Sequence, residues 1–175
     1  MENLTLYAEY NHWMNNKLYS ACEKLSDDQL RTDRKAYFGS ILGTLNHILV
    51  GDILWLKRFA THPLKLDSLN ELIGMEQPAA LNSCLYSDFN VLKSERQNMD
   101  QRIIYFVQEI TEEHLNTYLS YTDTEGRAKR KLFRSLLCHF FNHQTHHRGQ
   151  VSTLLSQLGI DVGETDLLAL IPDRF

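Results

Sequence analysis

Four stretches of about 20 residues, each with apolar side chains recurring at intervals of three and four, constrain this chain more than any other feature. In the first, from Leu6 to Leu25, the apolar positions are Leu6, Tyr10, Trp13, Met14, Leu18, Ala21 and Leu25. This is the pattern of an amphipathic helix. It gives way to Ser26-Asp-Asp-Gln29, a capping box in which the serine accepts from a backbone N–H and the glutamine reaches back, so a short helical turn starts there. After a loop through Phe38-Gly39-Ser40, the second stretch, Ile41–Ala60, is apolar over most of its circumference and closes at Thr61-His62-Pro63. A helix of that kind occupies a central position. The third runs from about Asp88 to Ile110, with Phe89, Leu92, Met99, Ile103, Phe106, Val107 and Ile110 inward and Lys93, Glu95, Arg96 and Asp100 on a charged opposite face. The fourth starts near Arg134 or Ser135 and stops at Gly159, in the C′ position that favours glycine.

The connections differ in kind. Residues 64–86, with Pro78 and scattered apolar positions, read as a long crossover with room for short helical turns. Between Leu115 and Leu132 the pattern changes to alternation around Thr124-Glu-Gly126, which suits a small hairpin or an irregular arm. In the tail, Asp161–Phe175, the apolar segment Leu167–Ile171 is expected to fold back on the helices. Long helices with long connections predict an all-α, four-helix bundle with crossovers and one small hairpin, as a single domain over residues 1–175.

Composition narrows the function. A chain of 175 residues that is 43% hydrophobic and 23% charged suits an ordinary globular core. No apolar run is long enough to span a bilayer, and the amino terminus lacks a basic region followed by a continuous apolar one, so a cytoplasmic protein without membrane association is expected. A net charge of −4 gives no overall drive toward nucleic acid. The one basic cluster, Arg127–Lys131, reads as a solvated strand. Cys22, Cys84 and Cys138 show no C-x-x-C spacing, which argues against a disulfide framework or zinc finger and makes buried thiols the default.

Chemistry concentrates in Asn142-His-Gln-Thr-His-His-Arg-Gly-Gln150. His143 and His147 are four residues apart and share a helix face, so both imidazoles can turn onto one metal ion. At 100° per residue they fall in the apolar arc of Leu136, Phe140, Val151, Leu154 and Leu158. His139 and Gln150 lie at its edge, and His146 falls outside. Buried imidazole nitrogens need polar partners, and a metal would satisfy both rings together. Eight histidines in the chain nonetheless make such a pair common. His47, on the second helix, has Gly43 and Gly51 one turn to either side. Glycine costs about 1 kcal/mol at each such site relative to alanine, so the pair suggests space kept for a ligand. The plainer account is close helix packing with His47 in one buried hydrogen bond.

Three segments together resemble the DinB family of the DinB/YfiT-like metalloenzyme superfamily. They are Tyr10-Asn-His-Trp-Met-Asn-Asn-Lys-Leu18, Leu45-Asn-His-Ile-Leu49 with Trp55 beyond it, and Asn142–Gln150 with its H-x-x-x-H-R-G-Q signature. The resemblance spans nearly the whole chain, including Thr165-Asp-Leu-Leu-Ala-Leu170. It implies a four-helix bundle, usually dimeric, with a divalent metal such as zinc or nickel held by His47, His143 and His147. The apolar circumference of the second helix adds weak support for a homodimer. His139 then reads as lining the cleft rim or supporting a ligand, His146 as structural or solvent-facing, Arg148 as an ion-pair or packing residue, and Gln150 as a partner of a ligand imidazole or bound water.

Three imidazoles leave a metal position open, as in catalytic zinc sites. A coordinated thiol is deprotonated, so metal-dependent transfer of a low-molecular-weight thiol to a small-molecule substrate is the leading expectation, as resemblance to thiol-dependent transferases of the superfamily also implies. Metal-assisted hydrolysis is the alternative, weakened for peptides because no glutamate follows His143 as in H-E-x-x-H. A non-catalytic metal-binding stress-response protein is the reading from another class. No catalytic residue is assigned.

Overall fold

Each of the four apolar stretches is a helix. The computed structural model describes residues 2–173 and contains α1 (Glu2–Cys22), α2 (Asp27–Arg31), α3 (Ile41–Phe59), α4 (Asn70–Ile73), α5 (Phe89–Glu109), α6 (Glu112–Leu115) and α7 (Phe133–Gln157). Single 3-10 turns lie at Asp67–Leu69 and Leu167–Leu170. Met1 and the end of the expected tail, Arg174 and Phe175, lie outside the described residues.

The termini follow from local side chains. Ser26 and Gln29 form the capping box of α2, and Ser40 caps α3 by accepting from Gly43 N at 3.0 Å. Asp88 caps α5 through the backbone N–H groups of Asn90 and Val91. At the end of α7, Gly159 takes φ +74° while its N–H donates to Ser156 O and that of Ile160 to Leu155 O. This paired closure is the Schellman motif, and glycine supplies the left-handed residue it requires. The segment between α6 and α7 is a hairpin: β1 (Tyr118–Thr122) pairs antiparallel with β2 (Ala128–Leu132), Tyr118 facing Leu132. Among the described residues the fold is thus mostly helical with one two-stranded sheet, the small hairpin expected between the third and fourth long helices. Exposed basic residues on β2 match the solvated strand expected there.

The four long helices bury one another's stripes: α1 packs on α5 and α7, and α3 on α5 and α7. Phe59 lies at the aromatic end of this core, with the rings of Phe106, Phe133 and Phe140 at centroid distances of 5.7, 5.2 and 5.7 Å. Each fully buried phenylalanine contributes roughly 1.5–3 kcal/mol. The chain encloses α3 so thoroughly that its apolar circumference is used within the molecule, and the support it lent to a homodimer is withdrawn. The tail folds back on α1, with the Tyr10 hydroxyl donating to Thr165 O at 2.6 Å.

Two side-chain assignments are corrected. Arg96 and Asp100 are each 1% exposed, not part of a charged outer face. They belong to a polar layer to which all four long helices contribute. Asn11 and Asn15 donate to Asp100 Oδ1 at 3.0 and 2.8 Å, and Arg96 pairs with both Asp52 and Asp100. Gln144 donates to Asp52 Oδ1 at 2.6 Å, and Arg148 donates to Asn11. Two guanidiniums and two carboxylates balance in charge, which is what makes such burial tolerable. Among the thiols only Cys22 is buried; Cys84 and Cys138 are exposed because they sit on a loop and on the outer face of α7.

Candidate metal centre

α3 and α7 pack side by side and bring His47, His143 and His147 together, with one ring nitrogen of each within 4.8 Å of the others. Nε2 of His47 lies 3.1 Å from Nε2 of His143 and 3.1 Å from Nε2 of His147. Four-residue spacing places the two α7 rings one turn apart. The Gln144–Asp52 hydrogen bond, between residues adjacent to His143 and Gly51, fixes the rotation of α7 on α3 so that both rings aim at His47.

The glycines do not leave an empty cavity. A Cβ on Gly51 would stand 2.6 Å from Cε1 of His143, so the space above His47 is filled by the second imidazole. A Cβ on Gly43 would stand 2.2 Å from the carbonyl oxygen of Phe38, so the space below admits the Phe38 backbone. This close approach lets the Phe38 ring stack on His47 at a centroid distance of 3.6 Å and meet His147 edge-on at 5.5 Å.

The outer nitrogens identify the tautomers. Nδ1 of His47 lies 2.8 Å from Leu81 O, which can only accept, so Nδ1 carries the proton. Nδ1 of His147 lies 2.8 Å from Oε1 of Gln150, whose Nε2 lies 3.2 Å from Nε2 of His146. Gln150 thus takes the role expected of it toward a cluster imidazole. Both Nε2 atoms are then lone pairs 3.1 Å apart, with no proton between them. His143 can offer one Nε2 proton at most. Such a set is repulsive by itself and complementary to a cation. Tetrahedral zinc with Zn–N of 2.0–2.1 Å separates its nitrogens by roughly 3.3 Å, so the donor set fits a small divalent ion.

Burial keeps the rings neutral. Loss of solvent pushes the His47 pKa down to about 4, opposed by the Leu81 carbonyl, and that of His143 down to about 3. His147 is also lowered by burial, opposed by its hydrogen bond to Gln150. Neutral imidazole is the ligating form.

The other expected residues separate from this cluster. His139 is exposed at the rim, its ring 6.1 Å from that of His143 and 5.0 Å from that of Trp55. His146 is exposed, and Arg148 is buried in the polar layer. Leu81 and Phe38 escape sequence reasoning because one acts through its carbonyl and the other through a loop closure. Gln144 carried a signal: it continues the buried series Leu137, Phe141, Arg148, Val151 and Leu155 at three- and four-residue steps.

Comparison with known proteins places the chain in a family. Protein DinB of Bacillus subtilis (strain 168) is 25% identical over 158 residues, covering 90% of this chain and 87% of that protein. The model of the DinB family matches residues 1–173. The chain belongs to the DinB family.

Proposed function

We propose that His47, His143 and His147 bind one divalent cation, zinc or nickel, through their Nε2 atoms, and that the site is catalytic. The observation that carries this reading is the pair of facing lone pairs on His47 and His147. The four long helices and a family match that runs over residues 1–173 support reading the fold as one four-helix bundle domain with crossovers. Elemental analysis tests the site: about one ion per chain is expected in the purified protein, and marked loss in His47→Ala and His143→Ala variants. Undiminished metal in both variants would reject the assignment.

The reaction we propose is transfer of a low-molecular-weight thiol to an electrophilic small molecule. When bound, the ion would lower the pKa of a thiol at the open position and so supply the nucleophile. This chain's own residues do the rest. Leu81 and Gln150 hold two rings in the ligating tautomer, and Phe38 covers one face of His47 and excludes water from it. Among the described residues no carboxylate joins the cluster, which favours thiol transfer over hydrolysis needing a carboxylate base. A panel of thiols and electrophiles, assayed with metal-loaded and metal-free protein, should show metal-dependent thiol loss. No loss across the panel would favour a non-catalytic metal-binding role.

A cytoplasmic location is part of this proposal; no helix among the described residues is long and apolar enough to cross a membrane. We also propose a homodimer. With α3 enclosed, the available surface includes the exposed apolar side chains Tyr7, Leu168 and Ile171.

A further inference from the structure

We infer that the cleft between the C-terminal end of α3 and the β1–β2 hairpin binds the carboxylate or phosphate group of a small molecule, with Arg58 as its principal partner. The cleft has a volume of about 540 Å³, and its polar lining includes Lys57, Arg58, Thr61, Gln77, Ser120 and Asp123.

Arg58 is the unusual member. Its guanidinium carbon lies 4.7 Å from the Trp55 ring centroid and 5.2 Å from that of Tyr121, which holds the group in place. Among the described residues no side chain or carbonyl forms a hydrogen bond or ion pair with that guanidinium. Its five N–H donors are therefore free to receive an acceptor, and the planar fork suits an oxyanion with two oxygens. Partial burial disfavours its charge, a cost that Tyr121 and Asp123 offset only in part and that a bound anion would offset further. Lys57 adds a second cation, though its ammonium donates to Met75 O.

Asp123 is the one carboxylate among the lining residues, and its charge is already engaged. Oδ1 accepts from the backbone N–H of Glu125 and of Arg127 at 2.9 Å, Oδ2 accepts from Arg127 Nε at 2.8 Å, and Lys129 Nζ lies 3.7 Å away. The cleft is left with a net positive lining. Ser120 supplies a hydroxyl donor beside it, while the Thr61 hydroxyl donates to Arg58 O at 2.7 Å.

The cleft is placed to serve the histidines. Arg58 lies three turns beyond His47 on α3, about 16 Å along the helix axis. Between them, Trp55 meets His139 edge-on and His139 lies tilted toward His143 at the distances given above, a partly apolar track for the body of an extended molecule. That the bound molecule is a substrate of the histidine site rests on the reading above; that the cleft binds an oxyanion does not.

Trp55 is the reporter. The chain has two tryptophans, so a Trp13→Phe protein isolates its emission. Succinate and inorganic phosphate are titrated against chloride at matched ionic strength, with metal-free and metal-loaded protein. A saturable change in Trp55 emission with succinate or phosphate is expected in both forms, and the stronger response distinguishes a carboxylate site from a phosphate site. Arg58→Gln should weaken binding at least about tenfold, as loss of a charge-assisted pair requires. Ser120→Asp, which leaves the Arg58 stacking intact and adds a repelling carboxylate to the cleft, should do the same. A response equal to that of chloride, or one undiminished in both variants, overturns the inference. Failure of metal binding in the elemental analysis would leave this titration unchanged.

Discussion

A methyl group on Gly51 would collide with Cε1 of His143 at 2.6 Å, whereas one on Gly43 would meet the Phe38 backbone at 2.2 Å. The two glycines therefore fail differently. An imidazole can swing aside, and alanine gains about 1 kcal/mol of helix propensity over glycine, so Gly51→Ala should retain its fold while losing metal affinity about tenfold or more. Comparing metal content with melting temperature checks this: full metal content in a folded Gly51→Ala protein would mean that His143 is not needed. Gly43→Ala has no such outlet and should destabilise by about 1–3 kcal/mol, the scale of overpacking. At this scale His143 and His147 were legible because histidine is itself a ligand type and a four-residue spacing puts both on one helix face, whereas His47 joined them only through the family resemblance. The loop carbonyl that orients His47 was not legible, since every residue has a carbonyl and only the tertiary fold brings that of Leu81 within 2.8 Å.

Along α5 the steps Leu92, Arg96, Met99, Ile103 and Val107 form one inward series at three- and four-residue spacing, with Asp100 one turn beyond Arg96. That series includes Arg96, although its charge had assigned it to the outer face. Geometry prevailed because Asp52 on α3, Asp100 on its own helix and the Asn11–Asn15 pair on α1 provide a complementary interior. The helices themselves were readable from local spacing and caps, but a balanced buried ion cluster depends on which stripes face each other. Replacing Arg96 with methionine strands two carboxylates. The expected cost is about 3–5 kcal/mol in urea unfolding, because removing one partner leaves uncompensated buried charge. A loss below about 1 kcal/mol would show that the cluster is hydrated.

For the whole molecule, the depressed histidine pKa values set the response to acid. In the unfolded chain these imidazoles titrate near about 6.5. In the folded, metal-free protein His47 waits until about 4 and His143 until about 3. As pH falls below the unfolded value, the unfolded chain takes up protons first. Stability is therefore full above that value and declines as pH drops toward the folded values. Melting the metal-free protein from pH 7.5 to 4.5 beside His143→Gln isolates the effect: the variant should lose less stability on acidification, and parallel curves would contradict it. Self-association is tested by light scattering, with a dimer expected at micromolar concentration and Leu168→Lys shifting it toward monomer if the tail face is used.

The hydrogen bond from His47 Nδ1 to Leu81 O ties the long α4–α5 connection to the histidine cluster, and Asn46 secures its far end through Tyr86 N and O. An ion that fixes the His47 ring also fixes the carbonyl it donates to. Protease cleavage within residues 74–85 should consequently slow on metal loading, and amide exchange there should slow with it, so a segment without ligands of its own would report whether the site is filled.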